Sequence, residues 1–503
     1  MKKLLSVVVV EHDSNMSYFD GKQLHYIKLE RYKQIKHYCY PTFWDWKYDI
    51  EKIWKISLED LDEIVVDFSH KVYSDDKLPN NMKDVLSGKT NYTKTQYENI
   101  PVWYLSHHYS HAQSTWMLSD KTPDVHIVID GLGDARTWSV FRNDQLVDCG
   151  TLEFGSIGFE MVNAGKYLGV HSSSEVDIAG KVMGLQSYGT IDYVYLNFLR
   201  QFNFKQVNQI FSKENWYRHK KDNLLARLTP LDWIRTVHYR MGEVLIDFFK
   251  TYAKPNELIS YSGGVAQNVV WNTELKKHFS NLLIPPHSGD EGLSLGAIEW
   301  LRKKNNLPKF EFSKFPYAQS DVAPRLTATE ETIKKTAKLL SEGKIVGWYQ
   351  SNGEIGPRAL GNRSILMDPR IENAKEKMNL IKRRENYRPF GASVLLEHAN
   401  SCFELNQKDE YMLYTAKVLD KKLQSITHVD GTCRLQTVSN QNETFRKLLK
   451  EFYNLTECPV LMNTSLNIAG FPLASYPEIV IDIFKSTAID CVVIGNEILE
   501  KEK

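Results

Sequence analysis

Val125-His126-Ile127-Val128-Ile129, followed by Asp130-Gly131-Leu132-Gly133-Asp134, joins an apolar run of the kind that forms a buried strand to an acidic, glycine-rich loop. Outward from it, residues 138–141 read as a return strand, and Asn143-Asp144 turns the chain into a further strand over 146–152. The chain opens with a related unit: an apolar strand over 4–10, then Glu11-His12-Asp13-Ser14-Asn15, a strand over 16–19, an Asp20-Gly21 turn and a strand over 23–28. A third element has the same logic. A strand over 258–261 enters Ser262-Gly263-Gly264-Val265-Ala266-Gln267-Asn268, and a helix runs on to about residue 277. Small residues at that point let backbone approach a nucleotide at a helix N-terminus. Any one of these loops also reads as a plain turn, and it is their order that speaks for a shared cleft.

The 503 residues exceed one ordinary hydrophobic core, so two domains are expected. Residues 310–324 are irregular, with Pro316 and Pro324, before a helix over 327–342 and a strand over 344–349, which sets the boundary between 1–325 and 326–503. With 63 basic and 62 acidic residues the net charge is +1, which indicates no bulk attraction to nucleic acid or membrane. No apolar run reaches the roughly 18 residues of a spanning helix, and Glu11, His12 and Asp13 cut the first one too short for a secretory leader. Six scattered cysteines without a CxxC pair fit free thiols in a reducing cytoplasm.

His107 and His111, in His107-His108-Tyr109-Ser110-His111, lie four apart, so on a helix both rings leave one face and can grip one metal. Carboxylates must complete such a site for a hard or borderline cation. Asp130 and Asp290, each beside glycine, are the candidates. Ordinary packing and hydrogen bonding is the alternative for such a pair. The second domain is rich in anion-binding sequence: Arg358, Arg363 and Arg370 in and after Gly356-Pro357-Arg358-Ala359-Leu360-Gly361, then Lys382-Arg383-Arg384 with Arg388, Arg434 after Gly431, and Asn463-Thr464-Ser465. Arginine offers planar bidentate donors to phosphate oxygens, and interleaved Gly, Pro and Asn distinguish these runs from a solvated basic face.

These motifs, in this order, resemble carbamoyltransferases of the NodU/CmcH/TobZ type, from His12-Asp13 to Val493-Ile494-Gly495. The most specific matches are residues 107–112, Gly180-Lys181-Val182-Met183-Gly184-Leu185, 263–268, 356–369, 382–390, 428–438 and 463–467. The resemblance implies an α/β N-terminal domain with the duplicated halves of the actin, sugar-kinase and threonylcarbamoyl-tRNA ATPase folds, and an α+β YrdC-like C-terminal domain. It implies that the second domain uses carbamoyl phosphate and ATP with Mg²⁺ to make carbamoyl-adenylate, and that an Fe²⁺ (or other divalent metal) site in the first transfers the carbamoyl group to a hydroxyl. By the same resemblance the metal ligands are His107, His111, Asp130 and Asp290, with His12, Asp13 and Lys36 near the acceptor and carbamoyl group. Gly131, Gly133, Lys181, Gly263, Gly264 and Asn268 would line a nucleotide. The acceptor would be a small molecule, sugar, nucleoside or nucleotide; oligomeric state stays open. Asp134, Ala179, Gln267, Leu466 and Phe471 depart from the family pattern as we know it. Competing expectations are threonylcarbamoyl transfer to tRNA and a nucleotide-binding protein without turnover. The aromatic stretch 38–54 is a candidate acceptor wall, or simply core.

Overall fold

In a computed structural model, residues 2–68, 83–85, 87, 89–222, 228–312, 314–319, 326–405 and 407–501 are described. Strand β1 (Leu4–Val9), apolar except for Ser6 and buried along its length, lies inside a six-stranded sheet. It is antiparallel to β2 (Asn15–Phe19), which is antiparallel to β3 (Leu24–Lys28). On its other side it is parallel to β4 (Glu63–Phe68), and β4 to β6 (Ile100–Leu105), with β5 (Tyr92–Tyr97) antiparallel at the edge. The second, five-stranded sheet repeats this pattern around β7 (Val125–Gly133). There β8 (Arg136–Arg142) and β9 (Gln145–Gly150) form the antiparallel hairpin, while β10 (Ile259–Ser262) and β11 (Leu282–Leu283) are the parallel neighbours. One topology is thus used twice, and in each copy the central strand delivers its loop to the same cleft.

The helices His107–Gln113 and Leu293–Lys304 pack between the two sheets. Their approach is so close that a Cβ on Gly296 would sit 1.9 Å from the Ser110 carbonyl oxygen. Apolar side chains of both sheets share the surrounding core, among them Leu4, Val65, Val128 and Phe141 with Leu295 and Ile298.

The C-terminal part is a nine-stranded mixed sheet in the order β15-β16-β17-β14-β18-β13-β12-β19-β20. Its strands are β12 (Val346–Tyr349), β13 (Arg363–Met367), β14 (Gly391–Leu395), β15 (Phe403–Glu404), β16 (Thr415–Val418), β17 (Thr432–Val438), β18 (Val460–Ser465), β19 (Cys491–Ile494) and β20 (Glu497–Glu500). The helices Glu330–Ser341 and Glu443–Thr456 pack against it through Ile333, Leu340, Phe445, Leu448 and Phe452. Residues 320–325, where the expected boundary falls, lie outside the described residues. Contacts join the two parts closely. Arg31 donates to the carbonyl oxygens of Glu354 and Gly356, and Leu413 is buried in the core of the second sheet.

Three expectations change in detail. The acidic stretch 130–134 is not a loop throughout, because β7 runs on to Gly133 through a register shift against β8. The helix expected over 327–342 is Glu330–Ser341, since the Thr329 side chain accepts the Thr332 N–H and starts it. Within 38–54, Tyr40 and Trp46 are buried in the core beside the first sheet and form no acceptor wall.

Candidate active site

The turn of helix after β6 presents His107 and His111 toward Asp130, at the point where β7 leaves its regular register, and toward Asp290, in the turn before Leu293–Lys304. Four ligand atoms, one from each residue, lie within 4.8 Å of one another, and all four residues are buried. His107 Nε2 is 3.2 Å from Asp130 Oδ2 and 3.5 Å from Asp290 Oδ1; His111 Nε2 is 3.4 Å from Asp290 Oδ1. Both His111 ring nitrogens are buried without a hydrogen bond among the described residues. Convergent imidazoles and carboxylates with an orphaned nitrogen fit a divalent cation of the borderline class. Burial works against charge on His107, yet Asp290 and Asp130 hold its pKa well above the ordinary value.

Glycines here serve the packing of this cluster. Gly263, at φ +94, has no room for a Cβ, which would meet the Ile129 carbonyl oxygen at 2.2 Å. A Cβ on Gly133 would run into the His107 ring at the same 2.2 Å. Gly264 donates its N–H to Asp130 Oδ1 at 2.7 Å, and Gly131 lies beside the Phe159 ring. Asp134 accepts the His107 backbone N–H at 2.6 Å.

Asp13, at φ 60, is the hub of a second buried group. Lys28 Nζ stands 2.9 Å from its Oδ1 and 3.1 Å from Glu30, while His12 Nδ1 and His37 Nδ1 each lie 3.0 Å from its Oδ2. Burial alone would raise the Asp13 pKa; Lys28, His12 and His37 outweigh it and keep the carboxyl well below its usual range. Against the same cost of burial, Asp290 and Asp13 raise His12 to about 10, and Asp13 and Asp177 raise His37 to about 9. Lys36 pairs with Asp177, which also faces His37 Nε2 at 3.5 Å. Lys28, Glu30 and Asp177 escaped sequence reading because strand alternation and helix spacing say nothing of which distant loop each one meets.

The third group is cationic. Arg358, Lys382, Arg384, Arg388 and Arg434 line one end of the cleft, with Asn463, Thr464 and Ser465 beside them. The ion pair recorded for the four arginines among the described residues is a loose Arg388–Glu385 contact at 3.8 Å. Burial first, then repulsion by neighbouring guanidinium groups, depresses the affinity of two of them for protons: Arg358 beside Arg434 and Arg388, and Arg384 beside Arg388 and Arg434. The buried Arg434 Nε has no hydrogen-bond partner among the described residues. Such a cluster is arranged for a polyanion that it does not itself supply.

Other expected positions make contacts within the protein. Arg363 is buried, with its guanidinium on the Gln350 and Ser351 carbonyl oxygens and 3.7 Å over the Tyr349 ring. Arg370 forks onto Asp368 at 2.7 and 3.0 Å. Neither lines the cleft, because β13 turns Arg363 inward and the Asp368 turn retains Arg370. Asn268 caps the helix Val269–His278 by accepting the Val270 and Trp271 N–H groups. Lys181 reaches Glu385 at 2.7 Å across the two parts of the chain.

The three groups share one cleft of about 1090 Å³, from His107, Asp130 and Asp290 past Asp13, His12 and Lys36 to Arg358 and Arg434. Phe159, Val162, Val176 and Met183 supply apolar wall.

Against known families, residues 3–298 match the model described as carbamoyltransferase N-terminus, and residues 337–501 the one described as carbamoyltransferase C-terminus. Nodulation protein NolNO of Sinorhizobium fredii is 27% identical, covering 96% of this chain and 78% of its own length. The 3′-hydroxymethylcephem-O-carbamoyltransferase of Amycolatopsis lactamdurans is 34% identical over 47% of each chain. Among solved structures, HypF of T. kodakarensis superposes with a TM-score of 0.38 at 13% identity, over 61% of this chain and 49% of that one.

Proposed function

Since this chain belongs to the carbamoyltransferase family, we propose that it activates a carbamoyl group with ATP at its cationic cluster and delivers it to an acceptor hydroxyl beside its His/Asp cluster. The observation that carries this reading is the single cleft lined by both clusters. Activation belongs to residues 326–503 and transfer to 1–325. Carbamoyl phosphate and water give carbamate and phosphate. A carbamate oxygen then displaces pyrophosphate from the α-phosphorus of ATP, leaving carbamoyl-adenylate. Carbamoyl phosphate, carbamate and ATP are all anions, and the guanidinium groups of Arg358, Arg384 and Arg434, which have no carboxylate partner among the described residues, suit anions that arrive with Mg²⁺.

In transfer, the acceptor oxygen attacks the carbamoyl carbon, the bond to AMP breaks, and AMP leaves with the electron pair. His107, His111, Asp130 and Asp290 would hold the divalent cation, Fe²⁺ by family resemblance, which supplies Lewis-acid polarisation when bound. Asp13, kept ionised by Lys28 and its two histidines, is a weak base but a strong hydrogen-bond acceptor. It therefore orients the hydroxyl and His12; because His12 and His37 are held protonated, the hydroxyl proton leaves with the departing AMP phosphate or to water. The apolar wall at Phe159 and Val176 suits a small-molecule, sugar or nucleoside acceptor. Among the described residues no helix is long and apolar enough to cross a membrane.

The test is formation of AMP and pyrophosphate from ATP by the metal-replete protein, with and without carbamoyl phosphate, followed by mass spectrometry of hydroxylated acceptors. Carbamoyl phosphate that brings about no AMP release sinks the reading.

A further inference from the structure

Asp67 has no part in the chemistry described so far, yet it is placed as though it should. It stands near the end of β4, one step beyond the Val66–Tyr104 pair of the parallel β4–β6 ladder, and so beside the point where β6 hands over to the helix carrying His107. The side chain is wholly buried, and neither carboxylate oxygen has a hydrogen-bond partner among the described residues. A buried carboxylate left in this state costs stability, so its retention calls for a partner it serves. Its Oδ1 faces His107 Nδ1 at 3.6 Å, an ion-pair distance just beyond a made hydrogen bond. The opposite ring nitrogen, Nε2, faces Asp130 and Asp290.

The ring therefore has two distinct edges. A cation held by Asp130, Asp290, His107 and His111 would take the Nε2 lone pair, leaving the proton of the neutral imidazole on Nδ1. Asp67 is the acceptor aimed at that proton. Asp134 meanwhile holds the His107 backbone N–H, and the absent Cβ of Gly133 lets the ring lie flat against the strand. His111 lacks an equivalent: its Nδ1 has no acceptor among the described residues. Orientation of the donor set thus falls on His107.

We propose that Asp67 is a positioning residue of the metal centre, selecting the His107 tautomer with Nε2 free and steering that nitrogen toward the cation; this rests on the reading that the cluster holds a divalent metal.

The experiment uses the full chain, stripped with a chelator and titrated anaerobically with Fe²⁺, and separately with Co²⁺, against a chromophoric competitor. Asp67→Asn, nearly isosteric, and Asp67→Ala are compared with the unmodified chain. Loss of such an outer partner typically weakens metal affinity about 10–100-fold, and that is the expected result. The visible Co²⁺ band should shift, because the donor ring of His107 is no longer held by Asp67. A merely structural Asp67 would lower the metal-free Tm and leave the affinity of the folded variants alone. Affinities within about twofold of the unmodified chain overturn this proposal alone. An unmodified chain that takes up neither metal overturns the metal reading and this proposal with it.

Discussion

Arg358 and Arg363 are five residues apart in one glycine-rich run and do different work. The first meets Arg434 across an open cleft, and the second is spent on backbone carbonyls beneath it. Arg358→Ala or Arg434→Ala should therefore abolish ATP cleavage to AMP in a folded protein, and synthetic carbamoyl-adenylate should restore transfer. Arg363→Ala should instead destabilise the fold, by the few kcal/mol that a broken buried hydrogen-bond network costs, and so lower Tm. Loss of transfer from the supplied adenylate in Arg434→Ala would show that the two half-sites are not separable. His37 gives a pH signature. Its folded pKa is about 9 against an ordinary 6.5, so the stability it confers is complete below about 6.5 and vanishes as pH rises through about 9. The stability advantage of the chain over His37→Gln, on the order of 1–3 kcal/mol near neutrality, should shrink along that curve when unfolding is followed from pH 6 to 10. An advantage that grows with pH would mean that His37 is buried neutral.

At the scale of elements, the helix Val176–Leu185 spans the cleft. Positions 177, 181 and 184 fall on one face, at the i, i+4 and i+7 spacing. Asp177 meets Lys36 and His37, Lys181 meets Glu385, and the Gly184 carbonyl oxygen accepts from His428 Nε2 at 2.9 Å. One strut thus ties the acceptor group to the loop bearing Arg384 and Arg388. Lys181→Met should loosen the wall between the half-sites and let activated carbamoyl groups reach water. More AMP should then form per carbamoylated product than in the unmodified chain. An unchanged ratio, measured with acceptor in excess, would deny the helix that role. The Gly180-Lys181 motif is visible in the sequence, but the Glu385 partner of Lys181 lies 204 residues away, which no spacing rule reaches.

For the whole molecule, the seam between the two parts is itself core. Ile355 is buried among Leu4, Phe19 and Leu295 of the first part, Leu413 lies in the core of the second sheet, and a Cβ on Gly356 would strike the Pro286 carbonyl oxygen at 2.2 Å. Calorimetry should accordingly show one cooperative transition, and residues 1–325 expressed alone should be less stable than in the full chain. Two well-separated transitions would mean that the halves fold independently.

What the sequence settles by itself is what local chemistry controls. An apolar run that gives way to acidic residues reads as a buried strand, as it does for β1, which stops at Val9, and for β7, which runs on through Asp130 to Gly133; His107 and His111 can only share a face once a helix forms. That is enough for the α/β class, the repeated strand–loop–hairpin units and the metal-ligand candidates. The tertiary structure alone decides that Asp130 and Asp290 close on those histidines, that Lys28 holds Asp13 ionised, that Arg363 and Arg370 face away, and that Asp67 stands behind His107. The physical reason is that burial and charge pairing depend on which distant loops two sheets bring to one cleft, and that is set by packing over the whole chain rather than by any residue's neighbours in sequence.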